Sequence, residues 1–341
     1  MDISRRKRLI LSKIVTLYTD SGDPIGSKLL NQFLEGVSVS SATIRNEMAE
    51  LTSLGFLEQP HTSAGRVPTV EGFRYYVENL LQSCPLTEEE QSEIDQAIDS
   101  MDSDPDRAAD EAARSLAQVT GLAAITTTPR GGNVQLTHYE IFKTGKYNIA
   151  IVGVTSVGGV KTRVCRVAQE LDNDQLARLE TLLNRRFVFV SPEDLNRQMV
   201  EEAVAELGKD GKVCAPVLSA VVTIIKSAAD VRVYTEGQEK LLDYPEFDTH
   251  IKELLELFSD ARSMCSYLMP DEPLKVYVGD ERGGFGMDSL GVVMGRYRAA
   301  GGRYGTLAVA GPVRMNYGFI IPRVTYFRDR LSAALTNPGL Q

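Results

Sequence analysis

The apolar positions of the first 80 residues recur at helical spacing, interrupted by short segments rich in glycine and proline. Residues 7–21 carry one apolar face, which predicts an amphipathic helix that ends at Gly22-Asp23-Pro24. Residues 25–34 predict a second, short helix with a well-capped start at Gly26-Ser27. Residues 35–39 then form the predicted turn into a third helix.

The third helix is predicted from its cap and its apolar stripe. Ser40 is a suitable N-cap, because its hydroxyl can accept a hydrogen bond from the first turn. Ile44, Met48 and Leu51 follow at positions i, i+4 and i+7, which places them on one buried face. Three helices within about 50 residues are typical of the helix-turn-helix plan.

The opposite face of the third helix carries small polar donors and one cation. In helix-turn-helix proteins the first residues of the recognition helix contact base edges in the major groove. Arginine suits guanine there, and asparagine suits adenine. The candidate base-contacting residues are therefore Ser40, Ser41, Thr43, Arg45 and Asn46.

A hairpin is predicted directly after the third helix. Residues 56–59 form a short strand, and a segment rich in turn-forming residues leads to a second strand near Val67. We expect His61, Ser63 and Arg66 at the exposed tip, where they can donate to phosphates or enter the minor groove. The alternative is a helix-turn-helix that packs against another protein domain without contacting DNA.

Three segments together resemble the HrcA family of bacterial heat-inducible transcription repressors. They are SSATIRNEMAEL at 40–51, PHTSAGRVPT at 60–69 and GPVRMNY at 311–317. The resemblance implies a repressor of chaperone operons that binds an inverted repeat called CIRCE as a homodimer. It also implies that the GroE chaperonin maintains the activity.

The resemblance further implies a GAF-like domain with an inserted dimerisation domain. The fold class is then α+β and multidomain. The expected division is a winged helix-turn-helix domain at 1–83, an acidic linker at 84–111, a GAF-like domain at 112–134 and 213–341, and an α/β dimerisation domain at 135–212.

The pattern of the later residues agrees with a mixed fold. Three strands at 136–143, 147–155 and 160–167 predict an antiparallel meander. A helix at 175–185 capped by Asp172 follows, and Ser191-Pro192 predicts the start of another helix with proline at its first position. Beyond them come helices at 215–229, at 247–269 and up to about Leu335, and strands at 231–235, 274–278, 290–297 and 306–310.

The net charge of −9 is unusual for a DNA-binding protein until it is divided along the chain. Residues 84–111 hold eleven acidic residues and one basic residue, Arg107, a net charge of −10, whereas residues 1–83 are neutral. We interpret the acidic segment as a solvated linker helix. Arg5, Arg6 and Lys28 are further candidates for phosphate contacts, although a basic helix start is often simply solvated.

Several classes of function have no support in the sequence. Four widely spaced cysteines and three histidines do not suggest a metal site, and no arrangement of catalytic side chains indicates an enzyme. The glycines at 279–286 lack the spacing of a nucleotide-binding fingerprint, so no cofactor is expected. No apolar run is long enough to cross a bilayer and no secretory signal is evident, which predicts a cytoplasmic protein without membrane contact.

Two functions remain open from the residues alone. One is a dimeric repressor that binds an inverted repeat in double-stranded DNA, because a two-fold protein matches a palindromic site. The other is a ligand-responsive winged-helix regulator that senses a small molecule in the GAF-like domain.

Overall fold

The structure is a computed structural model. It describes residues 3–34, 40–61, 64–102, 104–131, 134–228, 230–259, 264, 267–268, 270, 272–280 and 287–336. The turn predicted at 35–39 lies outside the described residues, and so do residues 281–286 of the glycine-rich segment at 279–286.

The N-terminal unit consists of helices packed around a two-stranded hairpin. Its elements are α1 (Arg5–Ser21), α2 (Ser27–Gln32), α3 (Ser41–Ser53), β1 (Leu57–Glu58), β2 (Val67–Pro68) and α4 (Val70–Asn79). The predicted helices are confirmed, and Gly22 ends α1 in the left-handed conformation that glycine tolerates best. The predicted cap of α2 is wrong, because Gly26 has no side chain to cap the helix and no other side chain does so.

The acidic segment forms α5 (Glu88–Asp99) and the first part of α6 (Pro105–Thr120). The prediction of a solvated linker helix is wrong, because Ile94 and Ile98 are buried in the same core as the apolar side chains of the N-terminal unit. Helix α6 also continues through residue 111, where the sequence placed the end of the linker.

The last helix, α11 (Tyr317–Thr336), supplies the partners of these acids. Arg323 pairs with Glu90, and Arg330 lies 2.5 Å from Asp95. Tyr326 donates a 3.0 Å hydrogen bond to the Asp95 carboxylate. The acidic segment therefore packs against the body of the protein, and two of its acids, Glu90 and Asp95, are paired with arginines of α11.

A five-stranded antiparallel sheet forms the centre of that body. Its strand order is β7 (Val233–Glu236), β3 (Ala123–Thr127), β10 (Arg303–Pro312), β9 (Leu290–Ala299) and β8 (Leu274–Val278). Helices α6 and α11 cover one face. The other face is covered by two 3-10 turns at Gln238–Asp243 and Pro245–Phe247 and by α10 (Ile251–Ser259). The long helix predicted at 247–269 begins instead at Ile251, and its second half is only partly described.

A second unit is inserted between β3 and β7. Its strands β4 (Leu136–Gly145), β5 (Asn148–Thr155) and β6 (Val160–Arg166) form the predicted antiparallel meander. Helices α7 (Asn173–Arg186), α8 (Arg197–Glu206) and α9 (Gly211–Ser227) contribute buried side chains to a core of their own with this sheet.

Two predictions about the inserted unit are wrong. Helix α9 fills the core of this unit, whereas the sequence assigned residues from 213 onward to the GAF-like domain. The apolar spacing of a helix shows that it is buried but not which core it joins. The helix predicted to start at Pro192 begins instead at Arg197, because the Ser191 hydroxyl closes a local turn with Asp194 and Asn196 is the N-cap.

The ion pair between Arg323 and Glu90 should contribute more to stability than the pair between Arg330 and Asp95. The Arg323 side chain is 3% exposed and the Arg330 side chain is 35% exposed. We expect Arg323→Met to lower the free energy of unfolding by about 2 to 3 kcal/mol, since it leaves a partly desolvated carboxylate without its donor. Arg330→Met should cost less than about 1 kcal/mol. Thermal unfolding followed by circular dichroism compares the two variants, and equal melting temperatures would contradict the assignment.

Candidate nucleic-acid interface

The first turn of α3 is held by a hydroxyl cap. The Ser40 hydroxyl accepts a 3.1 Å hydrogen bond from the Thr43 backbone N–H and lies 3.0 Å from the Thr43 hydroxyl. Both side chains therefore take part in the N-cap of the helix. Ser41 beside them is half-buried. The cap leaves the amino end of α3 rigid, which suits a surface that must match a DNA groove.

Arg45 and Asn46 are the exposed side chains that follow this cap. The Arg45 Nε donates a 3.3 Å hydrogen bond to the Ser27 hydroxyl at the start of α2, which leaves its remaining donors available. Lys28, the next residue of α2, is exposed as well. The predicted polar surface is therefore assembled from the starts of two helices.

A groove of about 360 Å³ lies between these helix starts and the hairpin. Arg45 and Arg66 both line it, together with Gln59 and the backbone of Gly65. Two guanidinium groups thus border one concave surface, where a phosphate or the edge of a base would meet donors from both sides. The sequence did not identify Gln59 as a candidate, because the residue pattern of a very short strand does not show which side chains face a groove.

Arg66 is not at an exposed tip, and that expectation is wrong. It is half-buried, its Nε donates a 3.1 Å hydrogen bond to the Thr52 hydroxyl of α3, and its backbone pairs with Ile25. A side chain at Gly65 would lie 2.4 Å from the Ile25 backbone, so the close approach requires glycine. The hairpin is thereby fastened to the helices at its base. His61 is exposed, as expected, and Ser63 lies outside the described residues.

The basic start of α1 is largely neutralised within the unit. The Arg6 guanidinium lies 3.3 Å from the Glu47 carboxylate, and the Lys7 ammonium lies 3.2 Å from Glu47 and 2.7 Å from Glu50. Hydrogen bonds to Glu50 and then Glu47 raise the pKa of Lys7. Arg5 is exposed, and no ion pair involves it among the residues that the structure describes. Of this basic run, Arg5 is the better candidate for a phosphate contact.

Arg314 connects the N-terminal unit to the body. It pairs with Glu246, and its Nη1 donates a 3.3 Å hydrogen bond to the Thr19 carbonyl in the last turn of α1. Its guanidinium also lies 5.4 Å from the centre of the Tyr244 ring. Arg314 lies in the segment GPVRMNY, and its hydrogen bond to the last turn of α1 helps to cap a helix of the N-terminal unit.

Arg74 makes a second connection. Its Nε donates a 3.0 Å hydrogen bond to the carbonyl of Val278, at the end of β8. Together, Arg314 and Arg74 hold α1 and α4 against different loops of the five-stranded sheet. The orientation of α3 relative to the body is therefore set by contacts more than 200 residues apart in the chain.

Among the described residues, no three histidine, cysteine, aspartate or glutamate side chains lie close enough together to bind a metal ion. In the same part of the chain, every helix is too short or too polar to span a bilayer.

The chain is similar to known proteins over nearly its whole length. A relative from Brevibacillus brevis, named a heat-inducible transcription repressor HrcA, is 30% identical over 338 residues, 98% of each chain. A relative of the same name from Lactobacillus delbrueckii subsp. bulgaricus is 33% identical and covers 98% of this chain and 97% of its own. The role in these names, transcription repression, is not an enzymatic one.

The fold is also found among solved structures. A crystal structure of a hypothetical protein matches 98% of this chain and 99% of its own, with a TM-score of 0.68 and 22% identity, which supports the mixed α/β fold. The family model for the HrcA protein C-terminal domain matches residues 106–321. With that match and the relative at 33% identity over nearly all of both chains, the protein belongs to the HrcA family.

Proposed function

We propose that this protein is a DNA-binding transcription repressor of heat-shock operons. The observation that carries the proposal is the exposed pair Arg45 and Asn46 on the first turns of a rigidly capped helix, beside a groove shared with a hairpin. Arginine and asparagine are the side chains best suited to contact guanine and adenine edges. Relatives named heat-inducible transcription repressors support the regulatory role.

The proposed architecture has three parts. Residues 1–83 form a winged helix-turn-helix domain with α3 as recognition helix and β1–β2 as wing. The five-stranded sheet with its helices forms a GAF-like domain, to which α5 and α6 attach the DNA-binding domain. The inserted unit from β4 to α9 forms the dimerisation domain, which extends the expected 135–212 range to include α9.

The proposed operator is a CIRCE-type inverted repeat in double-stranded DNA. A homodimer places one recognition helix in each half-site, so the two-fold symmetry of the protein matches that of the DNA. Such a repressor acts in the cytoplasm, where the bacterial chromosome and the GroE chaperonin both occur.

Substitutions of Arg45 and Lys28 should separate base recognition from phosphate contact. We expect Arg45→Ala to cost about 1 to 3 kcal/mol of binding free energy and to reduce the preference for the inverted repeat over a scrambled duplex. Lys28→Ala should weaken binding to both duplexes. It should also make the slope of log affinity against log salt concentration shallower by about 0.9, the contribution of one phosphate contact. Fluorescence anisotropy at two salt concentrations measures both effects.

The control for these variants is Arg107→Ala, which removes an exposed arginine of the acidic segment whose partner is Asp102. It should leave the affinity and the preference unchanged. If Arg45→Ala keeps the wild-type preference, α3 is not the recognition helix. Equal binding of both duplexes by the wild-type protein would count against the proposed operator.

The outer face of the three-stranded sheet supports self-association through the inserted unit. Phe142, Val160 and Val164 are 47%, 47% and 61% exposed. The strand register places them on one face with Ala150, Val152 and Val154 of the central strand, because paired residues share a face of a sheet. An exposed apolar patch of this kind marks an interaction surface.

Val164→Lys should therefore shift the protein from dimer to monomer. A charge at the centre of an apolar contact is not compensated there, and its burial is unfavourable. Light scattering coupled to size-exclusion chromatography measures the mass of the variant against Gln198→Lys, which adds the same charge on the exposed side of α8. A dimeric Val164→Lys variant would place the interface elsewhere.

The GroE chaperonin is the proposed partner that maintains the active repressor. Family membership supports this proposal, since the relatives are named heat-inducible. We expect protein diluted from denaturant to regain binding to the inverted repeat several-fold better with GroE and ATP than without them. Spontaneous recovery to the same level would remove the requirement, and a chaperonin without ATP serves as the control.

A further inference from the structure

A cavity of about 150 Å³ lies where α5, α6 and α11 meet the five-stranded sheet. Its lining is mainly apolar, and the side chains that matter here are Ile98, Met101, Ala108, Tyr297 and Leu331. The phenol of Tyr297 does not provide a free donor, because its hydroxyl donates a 2.6 Å hydrogen bond to the Thr127 carbonyl. The cavity is distinct from the groove beside α3.

One cation lines this apolar cavity. Arg303, at the start of β10, is 7% exposed. Its Nε donates a 3.0 Å hydrogen bond to the Ala300 carbonyl of the preceding turn. In the described part of the chain no carboxylate lies within ion-pair distance of it, and burial lowers the pKa of its guanidinium. A guanidinium has five N–H donors, so most of the hydrogen-bonding capacity of Arg303 is unused by these contacts.

The surroundings make this arrangement unusual within the molecule. Arg303 also borders a second, smaller cavity of about 60 Å³, which is lined by Lys161 and by two carboxylates, Asp106 and Asp230. Asp106 is already the partner of Lys161 at 3.8 Å and of Arg232 at 2.9 Å. Among the described residues, neither carboxylate forms an ion pair with Arg303. Arg323, the other deeply buried arginine among the described residues, pairs with Glu90. A buried cation without a counter-ion is unfavourable unless an anion completes it.

We propose that this cavity binds a small monocarboxylate with an apolar body about the size of a benzene ring. The carboxylate would accept two parallel hydrogen bonds from Arg303, the geometry in which arginine binds carboxylates most strongly. The apolar body would occupy the volume lined by Ile98, Ala108 and Leu331. An apolar cavity of about 150 Å³ is large enough for benzene.

Asp102, which also lines the cavity, is compatible with an anionic ligand. One of its carboxylate oxygens accepts a 2.8 Å hydrogen bond from the Asp104 backbone N–H, and the other lies 3.0 Å from Arg107. Its charge is therefore offset by Arg107 and by a backbone N–H, and it forms no ion pair with Arg303 among the described residues.

Occupancy of the cavity would act on the packing of α5 and α6 against the rest of the body. The cavity lies between the same helices that the Glu90–Arg323 and Asp95–Arg330 pairs hold together. A ligand that fills it adds contacts to all three helices and stabilises the folded protein by mass action. The proposal does not depend on the proposed repressor function, and its test needs no DNA.

The test uses the full-length protein with benzoate and hexanoate as probes and benzamide as a neutral analogue of the same shape. We expect benzoate to raise the melting temperature in a dose-dependent manner and to give a saturable heat of binding in calorimetry. Benzamide should bind at least tenfold more weakly. If neither carboxylate binds, or if benzamide binds as well as benzoate, the proposal is wrong.

Two variants locate the site. Arg303→Gln should weaken benzoate binding at least tenfold, whereas Arg298→Gln, an exposed arginine on β9, should leave it unchanged. Ala108→Leu fills the cavity without removing a charge, and it should also abolish binding. If Arg303→Gln does not fold, Ala108→Leu alone tests the location of the site. Benzoate binding that persists in Ala108→Leu would show that benzoate does not bind in this cavity.

Discussion

The contact between α11 and the acidic helices α5 and α6 is the interaction on which the rest of the structure depends. Ile94 and Ile98 of α5 and Phe327 and Leu331 of α11 belong to one continuous apolar core that reaches from α1 to the five-stranded sheet. Glu90 and Asp95 of α5 lie partly exposed beside this core, where the arginines of α11 pair with them and stabilise their partly desolvated charges. Arg323 and Arg330 thus make an acidic segment compatible with a packed position.

This packing determines how the N-terminal unit can act. Because α5 and α6 are part of the body, the polar start of α3 is presented from a fixed frame rather than from a flexible tether. Arg314 and Arg74 add two further attachments, one at the end of α1 and one beside α4. Any change in the body that alters these contacts would alter the orientation of α3. In the proposed dimer it would alter the angle between the two proposed recognition helices, to which binding of a palindromic site is sensitive.

Elements with strong local signals were predicted well. The cap and stripe of α3, the meander β4–β6 and the Asp172 cap of α7 all follow from residues within one element, since hydrogen bonds and periodicity of this kind are local. At the candidate site, the same local pattern placed Arg45 and Asn46 on the exposed face. Arg66 was misplaced because its partners, Thr52 and Ile25, come from two other elements that the hairpin meets only after folding.

The sequence by itself determined most of the helices and strands, the exposed donors of α3 and the resemblance to the HrcA family. Only the tertiary structure decided that the acidic segment is packed, that α9 belongs to the inserted unit and that Arg303 is buried without a carboxylate partner among the described residues. The physical reason is the same in each case. Burial and ion pairing are properties of residues that meet in space, and Glu90 and Arg323, 233 positions apart, carry no mark in the sequence that identifies each as the partner of the other.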